Sequence, residues 1–363
     1  MNIVGIDLFP RNRPLNEDEL AHRLDQKVVA DVEPHYQLSV IKMNSCYLDC
    51  VDRDFGGRGF ALAASLLGFS LFLFAFLFFV YESLAGGGAS ADIANDPWQD
   101  ILFFSFLLTL ITVFLWWSAS SEICRYTHYP IRFDRRNGLV HFFTPQGDLV
   151  TAEWGKLFFT FGRYGRQADV RGHVLGDDGK TVLWSFALSY SDVQVARERP
   201  NLLMRHWEFI RRYMEDGPQA VTGQVQFCMP VDGCREKFKS GAERVFAEIV
   251  GAPFFMLPVL YIFGLIHICA RWLVMRSSKI PRWPEEIEKL CAIEPNDPYA
   301  ITADDEGNRI AVYPEAAAAH GVRFAAQPSI GEGNIGVKAP KRPGDRPEVV
   351  RGKSSSKKTG KPR

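Results

Sequence analysis

The fold of this chain is decided by two uncharged apolar stretches, GFALAASLLGFSLFLFAFLFFVY at residues 59–81 and ILFFSFLLTLITVFLWWSASS at residues 101–121. Each matches the roughly 20 apolar residues that a helix needs to cross a bilayer core about 30 Å thick. Neither has the polar face that a helix on the surface of a soluble core would carry. The two stretches therefore predict a transmembrane helical hairpin over residues 59–121.

Charged residues on either side of the hairpin predict its orientation. The connector between the helices contains no lysine or arginine, and its acidic residues are Glu82, Asp92, Asp96 and Asp100. The stretch after the second helix is basic and carries Arg125, Arg132, Arg135 and Arg136. Because basic flanks stay in the cytoplasm, we expect the connector outside and both ends of the hairpin inside.

The overall charge gives no bulk attraction to nucleic acid. The 363 residues include 42 lysines and arginines and 42 aspartates and glutamates.

A length of 363 residues leaves room for the hairpin and one or two ordinary domains. Acidic residues and a proline stand where a signal peptide has its apolar region, so the run from residue 59 is expected to act as an internal anchor.

The cysteines form no recognisable disulfide or zinc pattern. Their number is odd and their spacing irregular: Cys46, Cys50, Cys124, Cys228, Cys234, Cys269 and Cys291. Cys46 and Cys50 fit half of a zinc-binding pattern, but Cys228 and Cys234 do not complete it. We expect unpaired thiols in a reducing compartment and assign no metal site.

Residues 1–58 are expected to form a cytoplasmic segment with one short helix and some strands. The helix is predicted in NEDELAHRLDQK at residues 16–27, where Asn16 would cap a first turn rich in acidic residues. Residues 28–52 contain many β-branched and aromatic residues, which favour strands, although Pro34 interrupts them.

Residues 122–218 have the pattern of a cytoplasmic antiparallel β domain closed by a helix. Asn-Gly at residues 137–138 and Asp-Asp-Gly-Lys at residues 177–180 each separate two strand-like runs, which is typical of β-hairpins. Apolar residues then recur at helical spacing over residues 202–213, and Gly-Pro at residues 217–218 ends that helix. This order is similar to the PH-like barrels of bacterial membrane proteins, a likeness of fold that implies no activity.

A third apolar stretch lies at residues 249–270, within the segment 219–295. Pro253 and Pro258 are expected to break or kink a helix there. Basic residues flank the stretch on both sides, so a true span would place one basic flank outside. A re-entrant or interfacial segment is therefore favoured, with a span kept as the alternative. A short helix is predicted at residues 281–293.

Residues 296–363 are expected to be mostly disordered. From residue 336 onward the chain has ten lysines and arginines against two acidic residues and nothing to build a core. Such a tail either lies on anionic lipid, at about 1 kcal/mol per charge, or stays solvated. Nucleic acid is not expected as a partner, because the tail lacks aromatic residues on which bases stack.

No catalytic signature stands out, and an enzyme is not expected. The sequence lacks a Walker-type phosphate loop, an H-E-x-x-H pair and a G-x-S-x-G elbow. His141 and His173 fall within predicted strands and are interpreted as residues of a sheet face. The best candidate for a ligand or partner loop contains Arg163, Tyr164 and Arg166, whose guanidinium groups suit phosphate or carboxylate. A solvated loop explains the same residues.

Four stretches resemble a family of proteobacterial membrane proteins of unknown function: YPIRFDRRNG, DVRGHVLGDDGKTV, SFALS and HWEFIRRYMEDGP. The resemblance covers residues 40–295. It implies a membrane hairpin before a cytoplasmic domain, and genes that commonly stand beside type VI secretion effector and spike genes. It includes no catalytic motif, so no functional residues follow from it.

The sequence therefore predicts an α+β membrane protein of a bacterial inner membrane, with a transmembrane hairpin, a cytoplasmic PH-like domain and a third apolar helical segment. Two functions are compatible with it. One is a non-enzymatic immunity or accessory factor that binds a type VI secretion toxin or spike protein. The other is a membrane-associated regulator whose PH-like domain binds lipid or another membrane protein. Neither needs a cofactor.

Overall fold

The computed structural model describes residues 2–3, 6–7, 10–85, 97–164, 167–193, 201–249 and 253–303. Over these residues the chain is a mixed α+β protein with two five-stranded antiparallel sheets. Three helices are long and apolar enough to cross a membrane. The α+β class that the sequence predicts is thus confirmed.

The first 24 residues contribute short strands and one capped helix. They contain β1 (Asn2–Ile3), β2 (Ile6–Asp7), β3 (Arg13–Pro14), α1 (Glu17–Ala21) and β4 (Arg23–Leu24). The side chain of Asn16 accepts a hydrogen bond from the Glu19 N–H at 2.7 Å, and the Glu19 carboxylate accepts one from the Asn16 N–H at 3.0 Å. This reciprocal capping box confirms the predicted Asn16 cap. The helix itself ends at Ala21, and Arg23–Leu24, within the stretch predicted as helix, form β4 instead.

The first sheet is a meander whose strands follow chain order. It consists of β5 (Val40–Met43), β6 (Tyr47–Cys50), β7 (Ile131–Asp134), β8 (Leu139–Phe143) and β9 (Leu149–Glu153). Gly138, in the turn between β7 and β8, has φ 66°, a left-handed conformation that glycine adopts without strain. The Asn-Gly hairpin that the sequence predicts is confirmed.

The second sheet is a three-stranded meander with a short strand on each edge. Its long strands are β10 (Phe158–Tyr164), β11 (Gln167–Leu175) and β12 (Thr181–Val193). β3 pairs with β12, and β4 pairs with β10. The N-terminal segment therefore completes both edges of a sheet that is otherwise built from residues 158–193.

The two long apolar helices are inserted between neighbouring strands of one sheet. They are α2 (Phe60–Ala85) and α3 (Pro97–Ser120), as the sequence predicts. β6, before them, pairs with β7, after them, and Cys50 lies opposite Ile131. Residues 1–58 and 122–218, which the sequence separates into two segments, thus share both sheets.

The main core lies between the inner faces of the two sheets and the helix α4 (Asn201–Glu215). The aromatic side chains of Trp154, Phe159 and Trp207 stack at its centre, with ring centroids 4.7–5.9 Å apart. Gly172 is required beside them, because a Cβ at that position would lie 2.4 Å from the Phe186 ring. α4 is the closing helix that the sequence predicts.

The third apolar stretch lies mainly in α6 (Leu257–Ser277), and only its first residue belongs to the preceding helix α5 (Phe238–Ile249). Pro258 occupies the first turn of α6, where a missing N–H costs nothing, and Pro253 precedes the helix. The expected break is therefore confirmed at Pro253, which lies outside both helices, whereas Pro258 does not break or kink α6. α6 also extends past residue 270 and includes Arg271 and Arg276.

The chain after α6 returns to the first sheet. Lys279 exchanges backbone hydrogen bonds with Arg125 and Thr127, and α7 (Glu285–Leu290) is the predicted short helix. Ile301 and Met43 each donate a backbone hydrogen bond to the other, at 2.8 and 3.0 Å. Residues 279–303 are therefore held against the strands that bracket the inserted hairpin.

Candidate functional site

The predicted loop residues cannot be placed as a site. Arg163 and Tyr164 end β10, but their side chains lie outside the described part of the chain, as does the whole of Arg166. The acidic connector at residues 86–96 and the basic tail also lie outside the described residues. The candidate sites below are therefore taken from the rest of the chain.

A buried arginine connects α6 to the start of α2. Arg271 is 1% exposed, and its Nε and Nη2 donate to the Glu236 carboxylate at 2.6 and 3.2 Å. Its Nη1 donates to the carbonyl oxygens of Phe55, Gly56 and Arg58, which immediately precede α2, at 2.8–3.2 Å. A planar guanidinium with five N–H groups can satisfy this set of acceptors, whereas an ammonium group cannot.

A buried carboxylate connects the end of α3 to the start of α2, which Arg271 also contacts. Glu122, two residues after α3, accepts hydrogen bonds from the N–H groups of Gly59 at 3.2 Å and Leu62 at 3.0 Å. These N–H groups belong to the first turn of α2, where a negative charge is favoured. Gly59 has φ 87°, and a Cβ there would lie 2.5 Å from the Arg271 backbone. We call Gly59, Glu122, Glu236 and Arg271 the membrane junction.

α5 and α6 form an antiparallel hairpin whose two ends lie at the membrane junction. Glu236, just before α5, pairs with Arg271 near the end of α6, whereas Ile249 at the end of α5 packs against Gly264. Between them, Phe254 and Phe255 are 84% and 69% exposed. From residue 257 to Arg271 a helix rises only about 21 Å, which is less than the thickness of a bilayer core.

α6 meets α2 near its beginning. The Phe60 ring contacts the rings of Phe263 and His267 at 5.5 and 5.9 Å, and Ala63 belongs to one apolar cluster with Ala270 and Val274. If α6 ran alongside α2 in the opposite direction, a higher residue number in α2 would meet a lower one in α6. The contacts do not follow that order, so α6 does not run antiparallel alongside α2, and residues 263–274 of α6 pack against the first turn of α2.

The outer face of the first sheet carries a buried polar row. Asp49, Arg132, His141 and Thr151 are successive cross-strand neighbours on four strands. Arg132 donates to Asp49 at 2.7 and 2.8 Å, and a ring nitrogen of His141, Nδ1, is 2.8 Å from the Thr151 hydroxyl. Residues 283–291 cover this face, because the Trp283 ring lies over Arg132 and against His141.

The outer face of the second sheet carries a serine, a histidine and a glutamate in sequence. The Ser185 hydroxyl is 2.7 Å from His173 Nδ1, and His173 Nε2 is 3.5 Å from the Glu19 carboxylate. This set has the composition of a hydrolase triad. Burial lowers the pKa of His173 to about 4, which the Glu19 charge opposes only in part. All three side chains are buried, and the imidazole is fully enclosed.

A cavity of about 40 Å³ lies between the two sheets, lined by residues that include Asp52, Arg53, Tyr129 and Phe186. Arg53 forms ion pairs with Asp54 and the buried Asp169, and so contributes to the protein interior. Ligand pockets usually measure about 300–1,000 Å³. This cavity has room for water molecules but not for a metabolite.

The comparison with known proteins assigns a family. The family described as "Family of unknown function (DUF6708)" has a model that matches residues 105–295, more than half of the chain. The chain belongs to the DUF6708 family. The match begins within α3 and ends after α7, so it includes the strands from β7 onward, α4 and the α5–α6 hairpin. No curated protein and no solved structure matches the chain.

Sequence reasoning missed the membrane junction of this DUF6708 protein. Glu122 directly follows one apolar helix, and Arg271 lies within another. Charged residues at such positions usually lie where the helix meets water. Glycine at position 59 indicated a backbone conformation that other residues rarely adopt. The residue whose close approach requires this glycine, Arg271, is 212 positions away in the chain. His141 and His173 do lie on strands, as expected, yet both are buried.

We predict that Gly59→Ala strongly destabilises the protein. The substitution forces an alanine into a left-handed conformation, which costs about 1–2 kcal/mol, and places its Cβ 2.5 Å from the Arg271 backbone. The melting temperature of the detergent-solubilised protein should fall by several degrees. Gly57→Ala is the matched control, because a Cβ at Gly57 meets nothing within 4 Å. Equal melting temperatures for the two variants would contradict the close contact.

We also predict that the protein loses stability in mild acid. Burial lowers the pKa of His35 and His173 to about 4 and of His128 and His206 to about 3. The unfolded chain takes up these protons near pH 6.5, whereas the folded chain does not. Each histidine therefore removes about 1.4 kcal/mol of stability per pH unit as the pH falls from about 6.5 towards 4.

The measurement is the melting temperature between pH 7.5 and pH 5. We expect a clear fall for the natural sequence and a shallower one for His173→Gln, which removes one of the four protons and can still hydrogen bond to Ser185. The exposed His22 provides the control variant, His22→Gln, because it changes a histidine that is not buried. A flat profile above pH 5 would show that these histidines are not buried as neutral groups.

Proposed function

We propose that this protein is a non-enzymatic binding protein of a bacterial inner membrane, acting as an immunity or accessory factor for a type VI secretion toxin. Its partner would be the secreted toxin itself or a spike protein. The type VI context comes from the sequence resemblance. The described residues support the more general part of the proposal, a domain that is held at a membrane and binds another protein.

The observation that carries this proposal is the insertion of the apolar hairpin between β6 and β7. A domain joined to its anchor by a flexible linker would sample many orientations. Here the hairpin leaves and re-enters one sheet at Cys50 and Ile131, which lie opposite each other. The buried contacts of Arg271 and Glu122 then fix the start of α2. Such an anchor would present the domain to a partner in one orientation relative to the bilayer.

The buried polar clusters support a binding role over a catalytic one. The Ser185–His173–Glu19 set is enclosed, and Glu19 is already hydrogen bonded to Arg13 at 2.6 and 2.8 Å. Burial disfavours the charged carboxyl, but the Arg13 guanidinium and the Asn16 N–H outweigh this and lower the pKa of Glu19. Among the described residues, these charged groups pair with one another inside the protein and stabilise the sheets.

We propose a PH-like arrangement for the cytoplasmic domain. Two antiparallel meanders pack face to face, and one amphipathic helix, α4, closes the core. That order of elements is the one on which the likeness to PH-like barrels rests. The short strands β3 and β4 lie on the edges of the second sheet and would be additions to such a barrel.

We further propose that α2 and α3 cross the bilayer whereas the α5–α6 hairpin enters and leaves it on the cytoplasmic side. Both ends of α5–α6 lie at the membrane junction, and residues 279–303 pack on the first sheet. The exposed apolar side chains of α6, including Ile262, Leu265 and Leu273, would contact lipid. Both termini of the chain would then lie in the cytoplasm.

A topology experiment tests this arrangement. A fluorescent protein that folds only in the cytoplasm should fluoresce at either terminus of the full chain. Alkaline phosphatase, which is active only outside, should be active when inserted after residue 90. Fluorescence at the N-terminus together with phosphatase activity at the C-terminus would show that α6 crosses the bilayer, contrary to this proposal.

The partner is tested by affinity capture of the tagged full chain from its native cells in detergent, followed by mass spectrometry. We expect a secreted toxin or spike protein in stoichiometric amount. Co-expression with that toxin then separates an immunity factor, which rescues growth, from an accessory factor, which does not. Gly59→Ala should lose partner and rescue together if the fixed orientation is required, while Gly57→Ala should retain both.

Recovery of lipid or resident membrane proteins alone would overturn the toxin proposal. It would favour the second function, a membrane-associated regulator whose PH-like domain binds lipid or another membrane protein. That function predicts retention on vesicles that contain anionic lipid. The retention should weaken when Arg163 and Arg166 or the basic tail are neutralised.

A further inference from the structure

Three potential metal ligands from separate parts of the chain meet on the outer face of the first sheet. Asp134 ends β7, His141 lies in β8, and Cys291 follows α7. One ligand atom from each residue lies within 4.8 Å of the others, and all three side chains are buried. The residues are separated by 7 and 150 positions in the sequence, so no short motif reveals them.

The distances between these atoms fit a tetrahedral ion. Cys291 Sγ is 3.4 Å from Asp134 Oδ2, and His141 Nε2 is 3.8 Å from the same oxygen. Zinc bonds of about 2.0 Å to nitrogen or oxygen and about 2.3 Å to sulfur separate neighbouring ligand atoms by roughly 3.3–3.6 Å. The Cys291–Asp134 distance is already in this range, the His141–Asp134 distance would shorten by a few tenths of an ångström, and Cys291 Sγ and His141 Nε2 start at most 4.8 Å apart.

One ring nitrogen of His141 lies near Asp134 and Cys291 and makes no hydrogen bond. His141 is 1% exposed, and its Nε2 has no hydrogen-bond partner. Its other nitrogen, Nδ1, is 2.8 Å from the Thr151 hydroxyl. If Nδ1 carries the proton and donates to Thr151, the Nε2 lone pair points at Asp134 and Cys291. Metal-binding histidines are commonly oriented by such a bond at their second nitrogen.

The carboxylate is also held in place by a neighbour. Asn137 donates from its backbone N–H to Asp134 Oδ1 at 3.1 Å and from its side-chain amide to Oδ2 at 2.7 Å. Arg132 also interacts with Cys291, and its positive charge is balanced by ion pairs with Asp49 and Glu288. The ligand set is thus oriented before any ion binds.

We propose that Asp134, His141 and Cys291 form a zinc-binding site that fastens the segment after α6 to the first sheet. One nitrogen, one oxygen and one sulfur ligand in a compact arrangement favour zinc over magnesium or calcium, which prefer oxygen alone. A water molecule would complete the tetrahedron. Binding replaces the Cys291 thiol proton, which leaves to solvent, by a sulfur–zinc bond.

The site has a structural consequence because of where Cys291 lies. Cys291 is the last residue of the segment 283–291, which follows α6 and covers the polar row of Asp49, Arg132 and His141. Without metal, burial raises the pKa of the Cys291 thiol to about 12, so the thiol is protonated and donates to Asp134. With zinc, the same contact becomes a cross-link between β7, β8 and the end of α7.

The test is cobalt and zinc binding by the purified full chain in detergent, after removal of metal with a chelator. Cobalt is the probe, because a cysteine ligand gives a sulfur-to-cobalt charge-transfer band and a tetrahedral site gives intense d–d bands. We expect one equivalent of cobalt with both signals, displaced by one equivalent of zinc. Zinc should also raise the melting temperature.

Three variants at the site and one control variant make the assignment specific. Cys291→Ser should abolish the charge-transfer band, and His141→Gln should weaken cobalt binding about 100-fold or more. Thr151→Val leaves all three ligands in place and should weaken binding about tenfold through the orientation of His141. Cys228→Ala removes an equally buried thiol elsewhere in the core and should leave the spectrum unchanged.

The natural sequence alone can overturn the proposal. A folded, monodisperse protein that binds no cobalt, or that binds it without the charge-transfer band, would show that the three residues form only a hydrogen-bonded cluster. An unchanged cobalt spectrum in Cys291→Ser would assign the metal to other residues. Neither result would affect the proposed partner binding, which rests on the anchored domain.

Discussion

The buried guanidinium of Arg271 is the contact on which the arrangement of the long apolar helices and the sheets depends. It binds the Glu236 carboxylate and three carbonyl oxygens at the start of α2. A buried charge is costly unless it is paired and fully hydrogen bonded, and removal of one partner of such a pair typically costs about 3–5 kcal/mol. Gly59 lets the two backbones approach closely enough for these bonds. The apolar helices are therefore positioned by a polar interaction.

The second constraint is the insertion of the hairpin within a sheet. β6 and β7 are neighbours in space, although 80 residues separate Cys50 from Ile131. Because the strands must pair, the ends of α2 and α3 are brought together, and Glu122 reaches the first turn of α2. The sheets and the two apolar helices thus form one continuous structure, which is the physical basis of the proposed binding role.

Both sheets are covered on their outer faces, and this explains their many buried charges. A half-exposed strand normally alternates apolar and polar residues, and β7, with the sequence Ile-Arg-Phe-Asp, follows that pattern. However, α1 covers part of the second sheet, and residues 283–291 cover part of the first. Polar residues that would face water in a simpler domain are paired with each other instead. The Asp134–His141–Cys291 group is one result of this covering.

The sequence by itself determined the local elements. Hydropathy located α2 and α3, helical spacing located α4, and the Asn-Gly turn located the β7–β8 hairpin, because each depends on neighbouring residues. Only the tertiary structure decided how distant segments combine. The pairing of β6 with β7, the Arg271–Glu236 bond and the meeting of Cys291 with His141 join residues 35–150 positions apart. Such contacts depend on how the whole chain packs, and the local sequence pattern does not predict them.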